Sequence, residues 1–202
     1  MIDFRLYLVA GDHPDLPLAI SQAIQGGVTL VQLRLKDRTD REIIHHAQSI
    51  QGICRDHRIP LIINDRIDIA LAIGADGVHL GVDDLPLEAA SALAPERFAI
   101  GFSPETEEQL ISAQSRGATY LGVGPVFATS TKPDAGDPLG LPEFQRRCQQ
   151  VSIPVVGIGG ITARNAPDVM RHGAAGVAVA SAILARPDIQ NAARELRTSI
   201  RE

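Results

Sequence analysis

The sequence predicts an α/β protein in which eight parallel strands close into a barrel inside a ring of helices, a (β/α)8 or TIM barrel. Three observations predict it. Eight short apolar runs alternate with helix-length amphipathic stretches. The runs are nearly continuous rather than strictly alternating, as strands covered on both faces read. Aromatic residues make up only 3% of the chain and Trp is absent, so a core of Val, Ile, Leu, Ala and Gly fits better than an aromatic-rich sandwich. The chain of 202 residues is at the short end of the range for such a barrel, and no shift in composition marks a second domain. One domain over residues 1–202 is therefore expected.

The runs predicted as strands are Arg5–Ala10, Val28–Leu33, Leu61–Ile63, Gly77–Leu80, Phe98–Gly101, Tyr120–Val123, Val155–Ile158 and Gly176–Ala180. Between them lie helix start signals. Thr39, with Glu42 three residues on, reads as a capping box for the second helix. Ser103-Pro104-Glu105 offers a cap, a Pro at a first helical position and an acid in the first turn, so a helix is expected to open there. Thr162 is expected to open another helix after Gly159-Gly160. Four helices are expected to end at a glycine, in Gly26-Gly27, Gly74-Ala75, Gly117-Ala118 and Gly173-Ala174, because glycine takes the left-handed turn that leads into the next strand. The long segment Ala128–Gly140 is too polar and too rich in Pro and Gly for either element. It follows the sixth strand, on the face where barrels keep their active sites, and is read as a substrate-covering loop.

Composition narrows the function. Hydrophobic residues at 45% and charged residues at 21% are ordinary for a globular protein. A net charge of -5 excludes a broad nucleic-acid footprint, which needs a basic surface. The N-terminal MIDFRLYLVAGD is broken by charges and reads as neither a signal peptide nor a membrane span. Cys54 and Cys148 lie far apart without a CxxC pattern, so reduced thiols and a cytoplasmic location are expected. A homo-oligomer is compatible with the sequence.

In a barrel, a polar residue at the C-terminal end of a strand points at the active site. Strand two ends in Gln32, Arg34 and Lys36, which alternation puts on one side. Inward Gln and Arg are costly in a barrel unless they hold a ligand. Strand three ends in Asn64-Asp65 and strand four in Asp83-Asp84. Asp65 and Asp84 offer two hard carboxylates to one point, which suits Mg²⁺ shared with substrate phosphates. Helix capping explains the same residues, and spacing alone leaves both readings open. Thr129, Thr131 and Lys132 in the long loop suit phosphate oxygens. Gly160 after strand seven and Ser181 after strand eight stand where this fold binds phosphate. His79 reads as a hydrogen-bonded core residue with no chemistry assigned. His45, His46 and His57 read as solvated surface.

The segments VQLRLKD, IIND, GVHLGVDD, TSTKPDAG, VVGIGGIT and VAVASAI, in this order and spacing, resemble the thiamine-phosphate synthase family from Leu6 to about Ile183. The resemblance implies a transferase that joins hydroxymethylpyrimidine diphosphate to a thiazole phosphate, by departure of diphosphate and attack of the thiazole nitrogen on a pyrimidine cation. It implies that Gln32, Arg34, Lys36 and Asn64 hold the pyrimidine and its diphosphate. Asp65 and Asp84 would bind Mg²⁺, and Ser103 and Lys132, with Arg34, would steady the leaving group. Thr129, Thr131, Gly160 and Ser181 would take the thiazole phosphate. The partners implied are small-molecule substrates, with no nucleic acid and no membrane. There are departures: Ala128 stands where the family often has Pro, Glu105 where it commonly has His, and Val82-Asp83 within the metal motif, which leaves Asp83 a rival to Asp84. A thiazole tautomerase-like isomerase is the alternative, and Glu105 in place of its His counts against it. A non-catalytic thiazole-phosphate binder on the same barrel is a further alternative, against which Asp65, Asp84 and Lys132 all stand.

Overall fold

The computed structural model describes residues 2–129 and 136–200. Eight parallel strands form a closed barrel in chain order: β1 (Leu6–Ala10), β2 (Leu30–Leu33), β3 (Leu61–Asn64), β4 (Gly77–Leu80), β5 (Ala99–Phe102), β6 (Tyr120–Val123), β7 (Val155–Ile158) and β8 (Gly176–Val179). β1 pairs with both β2 and β8, with Leu8 opposite Val31 and Val179, and this closes the cylinder. Each expected strand is present within two residues of its predicted bounds. The helices are α1 (Leu16–Gly26), α2 (Asp40–Asp56), α3 (Ile67–Ile73), α4 (Leu87–Leu93), α5 (Glu107–Ser112), α6 (Gly140–Gln149), α7 (Ala166–Arg171), α8 (Ser181–Leu184) and α9 (Ile189–Ser199). Among the described residues no helix is long and apolar enough to cross a membrane.

Alternation along each strand divides the core in two. Leu6, Leu8, Val31, Leu33, Leu61 and Ile63 face outward into the layer under the helices. Tyr7, Val9, Leu30, Ile62, Tyr120 and Val156 face inward and fill the barrel. Both faces of the strands are thus largely buried, which is why the runs read as continuous apolar segments. The barrel floor is aromatic despite the low aromatic content, with the Phe4 and Tyr120 rings 4.8 Å apart. At its upper end the interior turns polar.

Local chemistry sets most helix ends where the sequence places them. Thr39 and Glu42 form the expected capping box on α2, and Asp15 caps α1 by accepting from the Leu18 N–H. Gly27 and Gly74 close α1 and α3 in the left-handed conformation. Two starts differ from expectation. α5 begins at Glu107 with a capping box of Thr106 and Gln109, not at Ser103-Pro104. The Ser103 hydroxyl is bonded to His79 instead, so it is not available to cap. α7 begins at Ala166 rather than after Thr162, because the Asn165 side chain accepts from the Thr162 N–H and donates to the Gly160 carbonyl, holding a turn ahead of the helix. The base of the long loop is pinned: the Leu139 and Gly140 N–H groups donate to Pro125 O and Val126 O at 2.8 and 3.1 Å.

Candidate active site

The C-terminal ends of the strands enclose one cavity of about 870 Å³. β2 brings Gln32 to it, and the chain continuing beyond β2 brings Arg34 and Lys36. Gln32 is buried, whereas Arg34 is half-buried and Lys36 exposed, so the basic groups sit at the rim and the amide sits deeper. Asn64, Asp65 and Asp84 line the same space from the ends of β3 and β4, and Ser103 from the end of β5. Thr129, Gly160 and Ser181 line it from the far side, after β6, β7 and β8. Thr131 and Lys132 lie outside the described residues.

The two carboxylates are mutually constrained. Asp65 sits with φ at +63°, a left-handed conformation that Asp tolerates better than most residues. Its N–H donates to His79 O at 2.8 Å, which ties the end of β3 to β4. Asp84 Oδ2 accepts from the Gly81 N–H at 2.6 Å, so this carboxylate closes its own turn as well as facing the cavity. Burial and the adjoining Asp84 carboxyl push Asp65 up to about 6, while Arg34 and Lys36 pull the other way. Two carboxylates brought this close repel unless they share a proton or a cation. Asp83 also borders the cavity but is exposed, and Asp84 is the partner that Asp65 meets. Among the described residues no three His, Cys, Asp or Glu side chains cluster as a metal site. The Asp65–Asp84 pair, with its hard oxygen donors, is therefore the part of the cavity suited to a divalent cation that keeps several waters and bridges to a phosphate.

Opposite, the backbone does the work. Gly159 and Gly160 turn with φ at +95° and +65°. A Cβ on Gly160 would overlap the Ala128 carbonyl and Phe127, and one on Gly159 would overlap Pro125. Only glycine lets the chain turn this way so close to the segment after β6. Ser181 opens α8 directly after β8, as in the phosphate subsite of this fold.

His79 makes the hydrogen bonds expected of a core histidine, and it also reaches the cavity, which the sequence reading did not expect. It lines the cavity, its Nε2 lies 2.8 Å from Ser103 Oγ, and its Nδ1 lies 3.0 Å from the Tyr120 hydroxyl. Burial pushes the imidazole down to about 4, so it is neutral near pH 7. Tyr7, expected only as part of a strand, also reaches the cavity, as does Arg147 from α6, which is paired with Glu143 at 2.9 Å. Gly101 and Gly122, two strand positions without side chains, leave the room that the His79 ring occupies.

The family model for thiamine monophosphate synthase matches residues 6–183. The chain is 45% identical to the thiamine-phosphate synthase of Chloroflexus aurantiacus over 99% of its own length and 94% of that protein. It is 49% identical to the thiamine-phosphate synthase of Methanospirillum hungatei over 86% of its length and 84% of that protein. Among solved structures, a thiamine phosphate pyrophosphorylase from Pyrococcus furiosus superposes with a TM-score of 0.90 at 36% identity, covering 98% of this chain and 96% of the other. A 3-hexulose-6-phosphate synthase superposes with a TM-score of 0.68 at 19% identity, a likeness of fold alone.

Proposed function

This chain belongs to the thiamine-phosphate synthase family, a family of transferases, and from that premise we propose that its cavity joins hydroxymethylpyrimidine diphosphate to thiazole phosphate by a dissociative route. In this reading the residues on β2 and β3 receive the pyrimidine diphosphate. Gln32 and Asn64 orient the ring, and Arg34 and Lys36 neutralise the diphosphate at the rim. Asp65 and Asp84 would hold Mg²⁺, whose bound charge stabilises the diphosphate as it departs. Ser103 and Lys132 donate to the leaving oxygens, where charge develops as the bond breaks. Gly160, Ser181, Thr129 and Thr131 seat the thiazole phosphate so that its ring nitrogen faces the carbon losing diphosphate. The new bond forms from the nitrogen lone pair to that carbon, and the C–O bond to diphosphate breaks with its electron pair.

The observation that carries this reading is the convergence, in one cavity, of Arg34 and Lys36 with the Asp65–Asp84 pair and a glycine turn opposite. Ser103 meets His79 in the cavity, but the other imidazole nitrogen faces the Tyr120 hydroxyl and not a carboxylate, so no Ser-His-Asp triad forms among the described residues, and burial pushes Cys54 and Cys148 up to about 12 and about 11, which suits packing rather than nucleophilic attack. The test supplies purified protein with both substrates, and then with each omitted in turn. Diphosphate and thiamine phosphate are expected in equal amounts, and only when both substrates are present. Release of diphosphate at the same rate without the thiazole phosphate would make the cavity a hydrolase and end this reading.

A further inference from the structure

Beneath the cavity a line of five side chains crosses the barrel interior in unbroken hydrogen-bond contact. Gln32 Nε2 donates to the Tyr7 hydroxyl at 2.6 Å, and the Tyr7 and Tyr120 hydroxyls lie 2.8 Å apart. Tyr120 reaches His79 Nδ1 at 3.0 Å, and His79 Nε2 reaches Ser103 Oγ at 2.8 Å. Both ends border the cavity, while Tyr7 and Tyr120 are only 2% and 0% exposed. Glycines clear the path. A Cβ on Gly101 would overlap Tyr120 and His79, and one on Gly122 would press on His79 and on Ser103 Oγ at 3.3 Å.

Counting protons gives this line a direction. A hydroxyl has one proton to give, and a neutral imidazole donates from one nitrogen while accepting at the other. Gln32 Nε2 can only donate, so Tyr7 accepts from it. The remaining partner for the Tyr7 proton is Tyr120. Tyr120 then has His79 Nδ1 left to receive its own proton. The imidazole proton is thereby placed on Nε2, which donates to Ser103 Oγ. With the Gln32 amide in this orientation, the opposite direction would leave the Tyr7 proton in the core without an acceptor, a costly outcome for a buried polar group. The Ser103 proton is left for the cavity. At the other end Gln32, with Nε2 engaged, has its carbonyl Oε1 left to offer.

We propose that Tyr7, Tyr120 and His79 are positioning residues which set the hydrogen-bond sense of both ends of the pocket together, making Gln32 an acceptor and Ser103 a donor toward a departing diphosphate oxygen. The role given to Ser103 rests on the transferase reading above, whereas the direction of the line does not. The same feature accounts for a histidine at the bottom of an active site that takes no proton itself.

Two measurements test it. The first is ¹⁵N NMR of histidine-labelled, substrate-free protein at neutral pH, with the His79 signals identified among the six histidines by their loss in His79→Gln. The proton is expected on Nε2, with Nδ1 bare. A proton on Nδ1 would overturn the direction, whatever reaction the pocket performs. The second is a double-mutant cycle of Tyr120→Phe and Ser103→Ala, read by single-turnover rate, KM and melting temperature. Tyr120→Phe keeps the ring and is expected to slow the chemical step about tenfold, the scale of one charge-assisted hydrogen bond, with KM changed less than about twofold. In the Ser103→Ala background it is expected to have a clearly smaller effect on the rate, because the part of its influence that passes through that hydroxyl is already gone and only the Gln32 end remains. Losses that multiply in the double variant would reduce Tyr120 to a packing role and overturn the proposal. If the wild-type protein forms no thiamine phosphate, the transferase reading falls while the NMR result still decides the direction.

Discussion

Asp65 meets two demands that a single residue type satisfies. Its backbone is left-handed, and its carboxyl faces Asp84. Asn also tolerates the left-handed region, so Asp65→Asn should fold while losing the charge. The folded carboxyl, near 6, binds its proton more tightly than the ordinary value of 3.8 in an unfolded chain. On this group's account, stability is fullest below 3.8 and is lost as pH rises through about 6. Metal-free protein should therefore gain in melting temperature between pH 7 and pH 5 from this site, and Asp65→Asn should remove that part of the gain. Equal pH dependence in the two proteins would contradict the assignment. Gly160 is the second sharp residue. Gly160→Val drives its side chain into the Ala128 carbonyl and Phe127 at a left-handed φ, so it should lower the melting temperature as well as raise the KM for thiazole phosphate, roughly tenfold or more; an unchanged melting temperature and KM would contradict the tight packing of this turn. At this scale the sequence was legible where a polar residue ended a strand, as with Gln32, Asn64, Asp65 and Asp84. His79 was legible as a hydrogen-bonded core residue but not as part of the cavity wall, because its partners lie at the end of β5 and on β6, some 24 and 41 residues along the chain.

The elements were legible for different reasons. Strands buried on both faces leave a continuous apolar record, and a capping box such as Thr39 and Glu42 is a local pattern that tertiary structure had no cause to override. The starts of α5 and α7 were misread because Ser103 and Thr162 have competing partners, one in the cavity and one in the Asn165 turn. The glycine ends were read correctly for α1 and α3, whereas α5 and α7 stop at Ser112 and Arg171, ahead of Gly117 and Gly173, which keep only the left-handed turn toward the next strand. On the proposed reading the chemistry also depends on the loop after β6. Lys132, within that loop, is proposed to reach the departing diphosphate. Lys132→Ala should lower the single-turnover rate more than it weakens substrate binding, by about 2–4 kcal/mol in transition-state stabilisation, or roughly 30- to 1,000-fold. An unchanged single-turnover rate with only a raised substrate requirement would leave Lys132 as a ground-state contact.

At the scale of the molecule, the closed parallel barrel explains why residues from seven separate strand ends meet in one place. The eight-fold rhythm and the strand-end rule together made the fold and most of the pocket wall readable. They left the wiring beneath it unread, because a closed interior joins residues that no sequence spacing relates. The account's central claim is that Arg34, Lys36, Asp65 and Asp84 form a diphosphate-departure site served by Mg²⁺. It is tested most directly by following thiamine phosphate formation from both substrates in wild-type protein and in Asp84→Asn, across a titration of Mg²⁺ and after chelation. The account predicts that chelation abolishes wild-type turnover, that added Mg²⁺ restores it, and that Asp84→Asn requires far more Mg²⁺ for a turnover lowered on the order of 100-fold. Full wild-type activity in the chelator, or an Asp84→Asn protein with unaltered Mg²⁺ dependence, would contradict it.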